Sequence, residues 1–203
     1  ASFLQRGYDM LIHDVALLNL HVVLGVDRAG LVGADGETHH GCFDAMFLSQ
    51  IPGFTVLCPA NFAELRRMVR QALFEIAGPV AVRYPRGGEG NFRTDTADQS
   101  AVCLRPGKDV TLLGYGKMIN NLLEAAALLE RQGVDARVVK LNRISPLDYE
   151  MLEEPMAGTE MLLVAEDAFG AGCLGQRLTS ILAEAGKAPR RVILKNLGKT
   201  FAP

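Results

Sequence analysis

The run His21-Val22-Val23-Leu24-Gly25-Val26, followed by Asp27-Arg28-Ala29-Gly30-Leu31-Val32-Gly33-Ala34-Asp35-Gly36-Glu37-Thr38-His39-His40-Gly41, decides how the rest of the chain is read. The first part is apolar and predicts a buried strand. The second holds four glycines, one arginine, three acids and two adjacent histidines. Polar loops leaving the end of a buried strand are where α/β proteins place their sites. Glycines let the backbone turn tightly and approach a ligand, and histidines move protons near neutral pH. The competing reading of the same residues is a surface loop with solvated charges.

Outward from this stretch the apolar pattern alternates. Residues 3–18 carry a helical stripe at Leu4, Tyr8, Leu11, Ile12, Val15 and Leu18. Residues 43–48 predict a short helix and 55–57 a strand ending at Cys58-Pro59. Asn61 is placed to cap a helix, with Glu64 three residues on and Leu65, Met68, Val69, Ala72 and Leu73 on its apolar face. Residues 80–83 predict a strand that stops at Tyr84-Pro85-Arg86-Gly87-Gly88. From Gly87 to Lys108 the stretch is polar and glycine-bearing and reads as a linker. A second alternation follows, with strands at 110–113, 136–141, 161–165 and 191–194 and helices at 118–132, 148–156 and 174–185. Such alternation predicts parallel sheets covered by helices. Two α/β domains, divided near residue 100, are expected.

Composition narrows the function classes. With 203 residues, 49% hydrophobic and 22% charged, the chain suits a packed core rather than disorder. A net charge of −2 gives no field that would gather nucleic acid or an anionic membrane. Charges interrupt the apolar runs well short of the roughly 20 residues of a membrane span, and no secretory leader is expected. Cys42, Cys58, Cys103 and Cys173 lie far apart without a C-x-x-C pair, which argues against a zinc site and fits reduced thiols in a cytoplasmic protein. Gly170-Ala171-Gly172 lies between a strand and a helix, where its amides could hold an anion. It lacks the dinucleotide spacing and reads as a structural turn.

Several blocks carry a family resemblance: Ser2-Phe3-Leu4-Gln5-Arg6-Gly7-Tyr8-Asp9, Ile12-His13-Asp14-Val15-Ala16, Asp27 to Gly36, Val82-Arg83-Tyr84-Pro85-Arg86-Gly87, and Val164-Ala165-Glu166-Asp167 with Gly170-Ala171-Gly172. In their order and separations they resemble the transketolase-like thiamine diphosphate family along the whole chain. The resemblance implies two consecutive three-layer α/β domains with largely parallel sheets. Residues 1–90 would be part of a pyrimidine-binding (middle) domain, 91–107 a linker and 108–203 a transketolase C-terminal-like domain. The family's G-D-G…Asn-Asn block for diphosphate and metal is absent, since Ala34-Asp35-Gly36 and Asn120-Asn121 do not form it. The glutamate that serves the cofactor's pyrimidine is expected upstream of Ala1. The segment alone is therefore expected to be inactive.

The resemblance further implies a chemistry in which pyruvate is decarboxylated and its two-carbon remainder is added to glyceraldehyde 3-phosphate. Thiamine diphosphate and Mg2+ serve this reaction in a complete protein that is a homodimer. Arg28 and Arg86 match the family's phosphate-binding arginines, and a phosphate dianion favours bidentate cationic partners. The alternative is a surface arginine paired with Asp27 or Glu37. Phe3 and Arg6 match residues that pack against and hydrogen-bond the aminopyrimidine, while ordinary helix-face packing is the alternative for Phe3. His39 matches the active-site histidine, with Asp35 beside it as the second catalytic candidate. His40 has no role in the resemblance and is read as bonding loop backbone. No metal ligand is expected within the chain. Two other functions remain open: a non-catalytic dimerisation or scaffold module, and the β subunit of a 2-oxo-acid dehydrogenase, which the Asp27-to-Gly41 loop disfavours.

Overall fold

The computed structural model describes residues 1–201. The chain opens with a 3₁₀ helix (Ser2–Gly7), one α turn, α1 (Tyr8–Met10), and a π-helical stretch (Leu11–Ala16). The expected stripe exists here, but the winding changes at Gly7, which has no side chain to favour the helix. Leu11 is buried, Leu4, Tyr8, Ile12 and Val15 pack against the core, and Leu18 faces solvent. Then follow β1 (Val23–Val26), α2 (Asp44–Gln50), β2 (Thr55–Leu57), α3 (Phe62–Phe74), β3 (Val80–Arg83), β4 (Ala101–Arg105), β5 (Val110–Tyr115), α4 (Met118–Glu130), β6 (Ala136–Leu141), β7 (Arg143–Ser145), α5 (Glu150–Glu153), β8 (Met161–Ala165), α6 (Leu174–Glu184) and β9 (Arg191–Lys195).

These strands form two mainly parallel sheets. The first has the order β1-β3-β2-β7, with β1, β3 and β2 parallel and β7 antiparallel to β2. The second runs β4-β6-β5-β8-β9, parallel except for β4. Central β3 is buried at every residue, as an interior parallel strand covered on both faces must be. One apolar cluster draws on both sheets, joining Val26, Val56 and Ala81 to Leu113, Val139, Leu162 and Leu178.

Three departures from expectation have separate causes. The stretch expected as a linker over 91–107 contains β4, and it also buries Phe92, Thr96 and Ala97. β4 is an edge strand with only Ala101 buried, so its apolar signal is weak. β7 is three residues long and crosses into the first sheet, so its pairing depends on the tertiary fold and not on local pattern. The helix expected over 148–156 shortens to Glu150–Glu153.

A buried ion pair stitches the halves together. Lys140 Nζ lies 2.9 Å from Glu64 Oε1, and both side chains are fully buried. Glu64 also accepts from Ala60 N at 2.8 Å, Thr96 N at 3.2 Å and Thr96 Oγ1 at 2.7 Å. Asn61 caps α3 as expected, its side chain accepting from Glu64 N at 2.9 Å, but Glu64 reaches past the cap to Ala60 and into the second half. Glu64 has the larger set of partners, so Glu64→Ala should destabilise by about 3–5 kcal/mol and Lys140→Met by clearly less. Denaturant unfolding of the two variants measures this. Equal losses would mean that the ion pair outweighs the hydrogen bonds to Glu64.

Candidate active site

β1 ends at Val26, β3 ends at Arg83, and the two strands are hydrogen-bonded neighbours. The segments leaving them therefore emerge side by side, and this places Arg28 near Arg86. Two further bonds fix the exit: Tyr84 N donates to Val26 O at 3.0 Å and Ala29 N to Tyr84 O at 3.0 Å. Arg28 itself has a positive φ of 58°. Left-handed backbone at a long side chain costs roughly 1–3 kcal/mol and collects at functional sites. The Asp27 carboxylate stabilises it by accepting from Arg28 N at 2.7 Å.

The two arginines converge on one carboxylate. Arg28 Nε lies 3.2 Å from Asp35 Oδ2, and Arg86 Nη1 pairs with Asp35 Oδ1. The hydrogen bond from Arg86, then that from Arg28, holds the Asp35 carboxyl below the usual carboxylate range. Arg28 also pairs with Asp27 at 3.3 Å, as the surface-loop alternative anticipated, but both groups are half-exposed and such a pair contributes little. Glu37 takes no part in these pairs.

Two cavities meet at Arg28 and Asp27. One, about 500 Å³, lies between residues 1–4, β1 and the loop and includes Phe3 and His39 in its wall. Phe3 is 65% exposed, and its ring stands edge-on to His39 at 5.3 Å. An aromatic face open to a cavity of this size fits a flat heterocycle. His39 Nδ1 sits 2.9 Å from Thr38 Oγ1, which leaves Nε2 without a partner among the described residues. The other cavity, about 320 Å³, is lined by Arg28, Arg86, Asn61, Tyr84, Glu89 and Lys117 among others. The site candidates thus gather in one place, apart from Arg6, which is exposed and lines neither cavity.

Other candidates resolve simply. Burial pushes the Cys42 and Cys58 thiols up to about 12, away from the thiolate form a nucleophile needs. At Gly170-Ala171-Gly172, Gly170 N donates to Gly198 O at 3.0 Å and Gly172 N to Gln176 Oε1 at 2.8 Å. The α6 amides of Leu174 and Gly175 go to the buried Glu166 carboxylate, both at 3.0 Å, so the chain's own acid fills this anion position. Among the described residues no cluster of acids, histidines or cysteines has metal-binding geometry.

Two residues were not anticipated. Arg83, within the quoted Val82-to-Gly87 block, is buried and bonds Asp44, Asp167 and Gly41. Its signal in the sequence is a cation at the end of an otherwise apolar strand. His40 is only 8% exposed and accepts the Val32 amide through Nδ1 at 3.1 Å. The backbone bond was expected, but the burial of His40 beside a half-buried His39 was not. His40 is a buried loop support, with its protonated Nε2 lacking a partner among the described residues.

Comparison with known proteins places both halves of the chain in one family. A family model described as "Transketolase, pyrimidine binding domain" matches residues 1–88, and one described as "Transketolase, C-terminal domain" matches residues 99–203. The chain belongs to the transketolase family. Curated relatives carry a more particular name, "1-deoxy-D-xylulose-5-phosphate synthase". That from Chlorobaculum tepidum is 45% identical over 191 residues, covering 91% of this chain and 30% of the relative. That from Chlorobium luteolum is 42% identical over 203 residues, covering 98% and 32%. The chain thus spans about a third of the length of these relatives. Among solved structures, a "Split gene transketolase, inactive beta4 tetramer" superposes with a TM-score of 0.87 at 30% identity, covering all of this chain and 66% of that one. A transketolase from Pichia stipitis gives a TM-score of 0.71 at 19% identity, covering 81% and 26%, and shares the fold.

The contrast between the two histidines is measurable by thermal melts. His40→Ala leaves the Val32 amide and a buried gap unsatisfied and should cost about 1–3 kcal/mol. His39→Ala should leave stability nearly unchanged. Equal melting temperatures for the two variants would contradict the burial of His40.

Proposed function

We propose that this chain forms the acceptor-binding and cofactor-facing part of a thiamine diphosphate-dependent 1-deoxy-D-xylulose-5-phosphate synthase. The reaction condenses pyruvate with glyceraldehyde 3-phosphate, with loss of CO2, and its product feeds isoprenoid and thiamine synthesis. The observation that carries this reading is the convergence of Arg28 and Arg86 on one anionic group beside an open aromatic-walled cavity. The relatives' shared name supports the choice of substrates.

In this reading the cofactor, when bound, would supply a nucleophilic carbon for pyruvate and an electron sink for loss of the pyruvate carboxylate as CO2. Phe3 lines the cavity for its aminopyrimidine, with Arg6 assigned to the same ring by family resemblance alone. Arg28 and Arg86 hold the acceptor's phosphate, the Asp35 carboxylate keeps both guanidiniums oriented until the phosphate takes its place, and His39 gives or takes a proton at the acceptor's aldehyde oxygen through Nε2. The Mg2+ and diphosphate ligands come from outside this chain, and the isolated segment is inactive for that reason. The complete protein is a cytoplasmic homodimer.

Steady-state kinetics of the complete enzyme test the reading. Arg28→Ala or Arg86→Ala should raise the KM for glyceraldehyde 3-phosphate about 30- to 150-fold, the equivalent of roughly 2–3 kcal/mol for a charged hydrogen bond. The pyruvate KM should move much less. An equal effect with an unphosphorylated acceptor would remove the arginines from phosphate recognition.

His39→Ala should lower kcat by about 10²–10⁴-fold, the range for a general acid or base. A variant within a few-fold of the parent enzyme, with an unchanged melting temperature, would take His39 out of the proton transfer.

A further inference from the structure

The loop that bears Arg28, Asp35 and His39 is closed at its base by a reciprocal pair of bonds. Gly30 N donates to Gly41 O and Gly41 N to Gly30 O, both at 2.8 Å. This base is gripped from the second half of the chain. Asp167, in the turn after β8, accepts from Arg83 Nη1 and Nη2 at 3.3 Å, and Arg83 Nη2 donates to Gly41 O at 3.1 Å. Asp167 also lies directly over Gly30, where a Cβ would fall 1.8 Å from Oδ2. With a φ of 78°, Gly30 meets two separate demands for glycine, in backbone conformation and in space. Two residues on, Phe169 N donates to Cys42 O at 3.4 Å and its ring packs on Phe43 at 4.7 Å between centroids. The turn after β8 thus touches both sides of the loop's base.

Arg83 is also three residues before Arg86 on the same strand exit. Its guanidinium therefore ties the segment bearing Arg86 to the loop bearing Arg28. Asp167 lines neither cavity, so any effect it has on the site runs through Arg83 and Gly30. We propose that Asp167 is a positioning residue, a latch by which the C-terminal sheet sets the distance between Arg28 and Arg86 at the acceptor's phosphate. This rests on the reading that those two arginines hold that phosphate.

The test is Asp167→Asn in the complete enzyme, with Arg28→Ala measured alongside. Asparagine keeps the shape over Gly30 and removes the charge that Arg83 binds. The expected result is a rise of about tenfold in the KM for glyceraldehyde 3-phosphate, with the pyruvate KM within about twofold. Hydrogen exchange of a peptide spanning residues 27–43 should quicken about tenfold, reporting local opening of the loop's base, while a core peptide over residues 136–141 exchanges as before, although the melting temperature falls because buried Arg83 loses a charged partner. Unchanged exchange would overturn the latch. So would an unchanged acceptor KM in Asp167→Asn when Arg28→Ala raises it. If Arg28→Ala also leaves that KM unchanged, the phosphate reading has failed, and the exchange result alone decides whether Asp167 holds the loop.

Discussion

The rest of the structure depends on a single guanidinium that has lost its water. Arg83 is 5% exposed at the end of a strand buried throughout, and removing that charge from solvent is costly unless every donor finds an acceptor. Burial alone would discourage its charge, but Asp44 and Asp167 more than offset this and hold it firmly protonated. Asp44 is the first residue of α2, accepting from Nε at 2.7 Å, so the same carboxylate serves the helix's positive end. The Tyr115 ring lies 5.5 Å from the guanidinium carbon and supplies its π face. Each partner comes from a different piece of chain: α2, the loop base, the turn after β8, and β5. The arrangement of those pieces about Arg83 is fixed by what one planar cation requires.

A second polar seam, Lys140 with Glu64, Thr96 and Asn142, repeats the pattern at another point between the halves. Apolar contact alone would let two sheets settle in several registers, because it is non-directional. The two ion pairs are directional and leave a buried charge wherever the register slips. Together with β7, which leaves the second half to finish the first sheet, they make the chain's two family segments one body. The geometry of the site loop is consequently not a property of residues 1–88 alone.

What the sequence reveals follows from where the information lies. Strands such as β3 and β8 are legible as short apolar runs, and helices such as α3 and α4 because burial on one face writes a local period. β4 and β7 are not, since one is a half-exposed edge and the other is defined by its partner across the domain boundary. The site is legible as residue types on a loop after a buried strand, and Phe3, Arg28, Asp35, His39 and Arg86 do gather. The supports were harder to read. Arg83 and Asp167 are 84 positions apart, and no spacing rule links them. His39 and His40 are neighbours of one residue type, yet a backbone turn sends one into a cavity wall and the other into the interior.

The carboxylate of Asp35 lets two arginines sit side by side. Like charges at that separation repel, and a single negative group between them removes the repulsion. Because its folded pKa is depressed, these pairs are fully formed above the ordinary carboxylate range and are lost only as the pH falls through the lowered value. Near neutrality the position is therefore always filled by one negative charge. On the reading proposed above, an incoming phosphate competes with that charge and brings two of its own with more acceptor oxygens, each able to take a guanidinium edge. The exchange gives both arginines an anionic partner before and after the phosphate binds. What it does require is that Arg28 and Arg86 remain at the spacing of one small tetrahedral or planar anion. That spacing is supplied by the strained backbone at Arg28 and the fixed strand exit before Arg86.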